Sequence, residues 1–582
     1  MLDKLKQFYD EIKTPTLFSI FVTACCYLSL MPIMSIAGIS VCVLTYLLSY
    51  ISAKKIKENM ECVSAITDTW WKKALIFLLF IYFNLTIYGV VFLEDNGMDG
   101  FIFSPKLYIP LALIWIIPLF LGFLALVSKM ISISKFEASG LPRKWKVLGG
   151  IFLMLNYGLW LYAFNPCISS PDSSVLFNQA HQMLTVPMDN WHPPFYAIVL
   201  SLMLKICDSA SFIIVVQCVA FSILVVCLTD FLLKIGCRPI IAYSVYFIMG
   251  LSFNNVMQMV TLWKDIPYMI SITLLTFLLA QLIMQKFDVD KLWHIKFILA
   301  MVFTSLFRQN GIMPTMAVSL FIIGITLIKK KYKFLISIAC FVAIVLLIKG
   351  PVYSFYKVES KPGLKYLALA NDILGTYYEG ESSSEDVLIM VNKITDNDPD
   401  NFAYNPYYTK YSATALDSYS VPEFLKIYLD TFINHPRSMF IQIMRRNSVL
   451  WSIIKPAKEI ASCVNYLGEM HVERCVYQYP KRVPNVFTDL FRKSTTGLTS
   501  NALVFIFAWR TAIYTLFLLG ILLFAFIKKK VLSIIVFLPA IFNAISLYIA
   551  SGWTDYRYYW PIAVMAIFII PFMMIYFQTD NH

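Results

Sequence analysis

Apolar runs of roughly 17 to 25 residues, each closed by lysines, prolines or a short polar break, recur along nearly the whole chain. That pattern fixes the solvent before it fixes anything else. A chain of 582 residues that is 59% hydrophobic and only 14% charged has more apolar surface than a soluble protein of its size can bury. The expected class is therefore an all-α polytopic membrane protein. The expected spans are 16–33, 35–52, 74–92, 107–128, 147–164, 211–233, 239–258, 265–285, 292–307, 311–328, 333–350, 503–527, 531–550 and 559–577, about fourteen transmembrane helices. The stretch 1–15 is polar and no small-residue cleavage site follows it, so the first run is read as a retained helix.

Lysine and arginine total 48 against 35 acids, a net charge of +13. In a soluble protein that excess suggests nucleic acid. Here the basic residues fall where cytoplasmic loops should be, and no nucleic-acid partner is expected. Lys54, Lys55, Lys57, Lys72 and Lys73 form one group, and Lys129, Lys135, Arg143, Lys144 and Lys146 a second. Lys329, Lys330, Lys331 and Lys333 form a third, and Lys528, Lys529 and Lys530 a fourth. All four lie on one side if both termini are cytoplasmic. That parity requires the short apolar segment Pro194–Ile206 to be re-entrant or interfacial, because a full crossing would invert everything after it. Half-crossing backbone at membrane depth needs protein or a water-filled cavity beside it. The twelve cysteines include no CxxC pair and make no metal framework, although Cys463 and Cys475 could pair outside the membrane.

One large insertion, 351–502, is the place for soluble structure, an external loop domain of mixed structure. Its part up to Asp430 has twelve acids and six bases, and the remainder ten bases and four acids. The segment 436–452, with Arg445-Arg446 between apolar residues, has an amphipathic pattern suited to the headgroup layer.

Under this topology five polar clusters share the outer face. They are Ser170-Pro171-Asp172-Ser173-Ser174; Asn190-Trp191-His192-Pro193-Pro194; Asn254-Asn255 with Trp263-Lys264-Asp265-Ile266-Pro267; Arg308-Gln309-Asn310-Gly311; and Trp553 to Pro561, with Asp555, Arg557 and Tyr558. Ionisable residues at membrane depth are costly and point to function. Each cluster also has a plainer reading. Asp172 could cap the helix that starts near Ser173. His192 could be a satisfied polar group at a rigid helix start. Lys264 and Asp265 could pair with each other, and Arg308 and Arg557 could snorkel to headgroups.

Taken together, the first-loop acid Asp172, the His192-Pro193-Pro194 element, the Arg308-x-x-Gly311 turn and the late Arg557-Tyr558-x-x-Pro561 resemble polytopic glycosyltransferases of the GT-C fold. These use polyprenyl-phosphate sugars, as the protein mannosyltransferases and aminoarabinose transferases do. Lys264-Asp265-x-Pro267 is similar to a group of uncharacterised Gram-positive relatives. The resemblance runs from about residue 147 to the C-terminus. It implies accessory helices over 1–146, a catalytic core over 147–350, the loop domain 351–502 and C-terminal helices over 503–582. It further implies a polyprenyl-phosphate sugar donor, a glycan, lipid or protein acceptor, and a bacterial plasma membrane. Asp172 and His192 would be catalytic. Lys264, Asp265, Arg308, Asn310, Arg557 and Tyr558 would hold the lipid phosphate. Several such enzymes have two adjacent acids where this chain has Asp172-Ser173-Ser174, so a second carboxylate would come from Asp265, Asp189 or Asp372. A possible divalent cation stays open, since it would want several oxygen ligands. The competing readings are a polysaccharide polymerase or ligase relying on an arginine/histidine pair, and a transporter of lipid-linked intermediates with ionisable residues deep in mid-helix.

Overall fold

The structure, a computed structural model, describes residues 68–89, 105–456 except 410, and 485–579, with a few scattered positions elsewhere. The expected spans 16–33 and 35–52 and the pair Cys463/Cys475 lie outside the described residues. Those residues are helical; they contain no strand, only isolated bridges. Among the described residues eight helices are long and apolar enough to cross a membrane, and up to ten if each of two bent pairs is one span.

In chain order these are α1 (Trp70–Tyr88), α2 (Pro105–Ile131), α3 (Arg143–Ala163), α4 (Pro171–His181), α5 (Pro194–Ile206), α6 (Ala210–Lys234), α7 (Pro239–Leu251), α8 (Phe253–Met259), α9 (Asp265–Met284), α10 (Lys291–Phe307), α11 (Ile312–Lys329) and α12 (Lys333–Leu347). The insertion contributes α13 (Leu367–Tyr378), α14 (Glu385–Ile394), α15 (Val421–Asn434) and α16 (Pro436–Arg446). The chain ends with α17 (Val486–Ser500), α18 (Ala502–Trp509), α19 (Ala512–Ile527), α20 (Ile534–Ala550) and α21 (Tyr556–Tyr576).

Helices α9 and α21 are buried along most of their length and form the centre of the bundle. The others present apolar residues outward, such as Leu155 and Tyr162 on α3 and Leu346 on α12. That is expected when the surrounding solvent is lipid. At one end of the bundle the lysines gather. Lys146 and Lys234 both meet Asp230, at 2.7 and 2.9 Å, and Lys331 bonds the Phe287 carbonyl. The insertion and the five polar clusters sit at the other end.

Two expectations need correction. The run 503–527 is two helices bent by 67°, broken at Arg510. That side chain is fully buried, bonded to both Glu459 oxygens at 2.8 Å and to the carbonyls of Ser448, Ser452 and Ile454. Its demand for acceptors overrides the apolar run. The segment 436–452 does not present its arginines to a headgroup layer. Arg445 and Arg446 are buried, Arg445 on Glu379 at 2.6 Å and Arg446 on Asp372. Helix α5, in contrast, is the expected thirteen-residue element starting at Pro194.

The insertion has its own core of Tyr366, Ile373, Leu374, Val387, Met390, Leu416, Phe424 and Met439. Arg446 fastens it to the bundle. Nε and Nη2 bond Asp372 at 2.9 and 2.8 Å, while Nη1 and Nη2 bond the Ser551 and Tyr548 carbonyls at 2.6 and 2.9 Å, at the end of α20. The far side of α20 lines an apolar cavity of about 180 Å³ with Tyr82, Leu450, Ala540, Ala544 and Tyr548.

Candidate functional site

Helix α4 begins at Pro171, two residues earlier than a cap at Asp172 would give. Ser170 is the N-cap: it accepts from the Ser173 amide, while the Ser173 hydroxyl accepts from the Ser170 amide at 3.0 Å, and Pro171 fills the first position. This reciprocal pairing satisfies two otherwise orphaned N–H groups. Asp172 is thereby released from capping, and its side chain turns elsewhere.

The linker after α8 runs beside the segment before α4. The Ile168 amide donates to Val260 at 3.0 Å and the Leu262 amide to Ile168 at 3.1 Å. Ser173 Oγ donates to the Leu262 carbonyl at 2.8 Å, and Trp263 Nε1 to Ser170 Oγ at 2.7 Å. Gln217 of α6 donates to the carbonyls of Met259 and Thr261. These bonds fix Trp263-Lys264-Asp265 next to Asp172.

Arg557, in the first turn of α21, completes the meeting. Its Nη2 lies 2.9 Å from Asp172 Oδ2, its Nε lies 3.0 Å from Asp555, and its guanidinium stacks 4.9 Å from the Trp263 ring. Arg308 closes the other side. Its Nη1 is 3.2 Å from Asp265 Oδ1, and it lies over the rings of Tyr268 at 5.4 Å and Tyr558 at 4.8 Å. Arg557 is also 4.8 Å from the Tyr558 ring and donates to its hydroxyl at 2.9 Å. One tyrosine thus stands between two guanidinium groups. Lys264 Nζ meets His192 Nδ1 at 2.8 Å. The side chain of Asp172 is 19% exposed, while Arg557 is at 4% and Asp265 at 0%, so Asp172 is the carboxylate of this group closest to solvent.

Electrostatics follow from this packing. Burial opposes charge on Asp172, but Arg557 and then Lys264 outweigh it and hold the carboxyl well below the usual carboxylate range. Burial, then Lys264, pushes the His192 imidazole down to about 3. Burial also lowers Lys264, against the pull of Asp172 and Asp265.

Asp172, His192, Lys264, Asp265, Arg308, Arg557 and Tyr558 therefore come together. Asn310 does not join them; its amide donates to Ser546 of α20 at 2.9 Å, so it pins the turn behind Arg308. Asn254 and Asn255 also serve packing, bonded to Ala508, Tyr556, Trp560 and the end of α7. Of the candidate second carboxylates, Asp265 is in the cluster. Asp372 is consumed by Arg446, and Asp189 by Lys361 at 2.8 Å. Asp555 and Tyr268 were not assigned to the site from sequence. Tyr268 sits one turn beyond Lys264 on the same helix, which was the available signal. Among the described residues no three His, Cys, Asp or Glu side chains gather as a metal cage.

A short ladder ties this region to the insertion. The Glu359 amide donates to Met188 at 2.7 Å, the Asn190 amide to Glu359 at 3.0 Å, and the Lys361 amide to Asn190 Oδ1 at 2.8 Å. Gln309 also donates to the Asn190 carbonyl.

Gly311 sets the direction of Arg308. A Cβ there would lie 1.8 Å from the Thr304 carbonyl oxygen, a backbone atom that cannot step aside. Gly311→Ala is expected to force the turn open and cost about 1–3 kcal/mol, the range for overpacking. The check is the melting midpoint of the purified protein; an unchanged midpoint would show that the turn tolerates a methyl group.

Comparison with family models, with curated proteins and with solved structures gave no match.

Proposed function

We propose that this protein is a membrane glycosyltransferase that moves a sugar from a polyprenyl-phosphate donor to a glycan, lipid or protein acceptor. The reading includes a GT-C-like fold with about fourteen spans, an active site on the outer face of a bacterial plasma membrane, and cytoplasmic termini. The observation that carries it is the cluster itself, in which an ionised, partly exposed carboxylate, Asp172, is paired with Arg557 and near Lys264, while Arg308 holds the neighbouring Asp265.

The chemistry divides between them. The acceptor hydroxyl attacks the anomeric carbon as the bond from that carbon to the phosphate oxygen breaks. The hydroxyl proton passes to Asp172. The leaving polyprenyl phosphate keeps the bonding electrons and gains one negative charge. Arg557, Arg308 and Lys264 offset that charge, the arginines with planar donors suited to phosphate. A carboxylate held so strongly ionised is a weak base, and it serves best when the proton moves late, after the acceptor oxygen has begun to bond. Asp265 and Tyr558 orient Arg308, and Asp555 orients Arg557.

The test is transfer from a synthetic polyprenyl-phosphate sugar by the full chain in liposomes, wild type against Asp172→Asn. Equal transfer by both proteins removes Asp172 as the base. Transport of the intact donor without sugar transfer would favour the transporter reading.

A further inference from the structure

The contact between Lys264 and His192 determines more than proximity. An ammonium offers three donors and no acceptor, so the ring nitrogen 2.8 Å from Lys264 Nζ must present a lone pair. That nitrogen is Nδ1, and in a neutral imidazole the single proton then resides on Nε2. The ring is 2% exposed. Charged groups reach it from each element around it: Lys264 from the linker, Arg557 from α21, Asp172 from α4, and Asp189 from its own loop. Burial and the nearest cation both oppose a second proton. Among the described residues Nε2 has no hydrogen-bond partner.

We propose that His192 is a neutral hydrogen-bond donor through Nε2–H, not a base, and that Lys264 is the positioning residue that sets this tautomer. The group it would donate to is a substrate oxygen, a sugar hydroxyl or a phosphate oxygen. That half rests on the transferase reading; the tautomer does not.

Two measurements separate the halves. The first is ¹⁵N solid-state NMR of histidine-labelled full chain in liposomes, with His192 identified by difference from His192→Gln. Nε2 should show a protonated-type shift and Nδ1 an unprotonated one, unchanged over about pH 5 to 8. Lys264→Met should release the ring to titrate or to mix tautomers. A protonated Nδ1 at neutral pH, or a Lys264→Met ring that behaves as wild type, overturns the tautomer lock. The second measurement is transfer. The Gln amide nitrogen can occupy the place of Nε2, and the Asn amide that of Nδ1. His192→Gln should retain transfer within roughly tenfold, while His192→Asn should lose about 10²-fold. Equal losses, or Asn outperforming Gln, overturn the donor role. If the wild-type chain transfers no sugar, the transferase reading fails, and the NMR result still decides the tautomer.

A different part of the molecule carries a second inference. Helix α17 has three facets. Thr488, Phe491 and Thr495 face α3, with Thr488 Oγ1 bonded to the Ala163 carbonyl at 2.5 Å and Phe491 stacked on Trp160 at 4.7 Å. Val486, Phe487, Leu490 and Leu498 form an exposed apolar arc. Asp489, Arg492, Lys493 and Thr496 are exposed on the remaining side. Because α17 adjoins the end of α3, its apolar arc continues the outward apolar surface of Leu155 and Tyr162. We infer that this arc lies in the lipid headgroup layer, with the two cations level with the phosphates. Benzoylphenylalanine at position 490, in the full chain in phosphatidylcholine–phosphatidylglycerol vesicles, should yield lipid adducts on irradiation, and at position 493 far fewer. Equal yields, or protein adducts at 490, overturn the assignment.

Discussion

Asp172→Asn is expected to slow sugar transfer by about 10²–10⁴-fold, the usual worth of a positioned general base. The protein should still fold, because Arg557 keeps Asp555 at 3.0 Å and the ring of Trp263 beneath it, so no buried cation is stranded. The substitution also leaves the cap of α4 intact, since Ser170 and not Asp172 makes it. The decisive pair of measurements is therefore turnover together with the melting midpoint. Lost turnover with an unchanged midpoint is the expected result. A parallel collapse of both would assign Asp172 to structure, as the counter-ion of Arg557.

Arg446→Met carries the largest expected cost to stability, about 3–5 kcal/mol, because it removes the cation that compensates the buried Asp372 and leaves it only the Tyr428 hydroxyl at 3.5 Å. It also strands the Tyr548 and Ser551 carbonyls that Arg446 satisfies. The pair already costs much to bury: burial raises the Asp372 carboxyl despite the arginine beside it. Replacing both partners, Arg446→Met with Asp372→Leu, should recover part of the loss, since apolar isosteres remove the desolvation penalty along with the attraction. Denaturation of the detergent-solubilised protein gives the comparison. If the single variant is as stable as wild type, the insertion is not held to the bundle by this residue.

Much of the frame is legible in the sequence because lipid imposes a simple rule on it. Long apolar runs gave the helices, proline and length marked α5 as a short element, and costly polar residues in apolar surroundings marked seven of the residues that meet. What stays illegible is pairing. Nothing local says that Asp172 will meet Arg557, 385 positions later, and the plainer reading of Asp172 as a cap was resolved only by Ser170 taking that task. Two errors share one cause. Arg510 lies in the run 503–527, whose pattern fits a straight span, and the amphipathic 436–452 has a pattern that fits a membrane surface. A buried ion pair within protein fits either pattern, and only tertiary contacts distinguish them. The apolar arc of α17 has only a weak periodic signal in the sequence, because Ser494 and Gly497 interrupt it.

The ladder between 188–190 and 359–361 has a mechanical consequence. His192 lies two residues beyond Asn190, and Asn190 is bonded to the insertion on both its backbone and its side chain. The histidine and the folded insertion are thus connected in series, with almost no slack between them. A bulky molecule lodging against the insertion therefore has a short hydrogen-bonded route, through Glu359 and Asn190, to the loop that carries the imidazole.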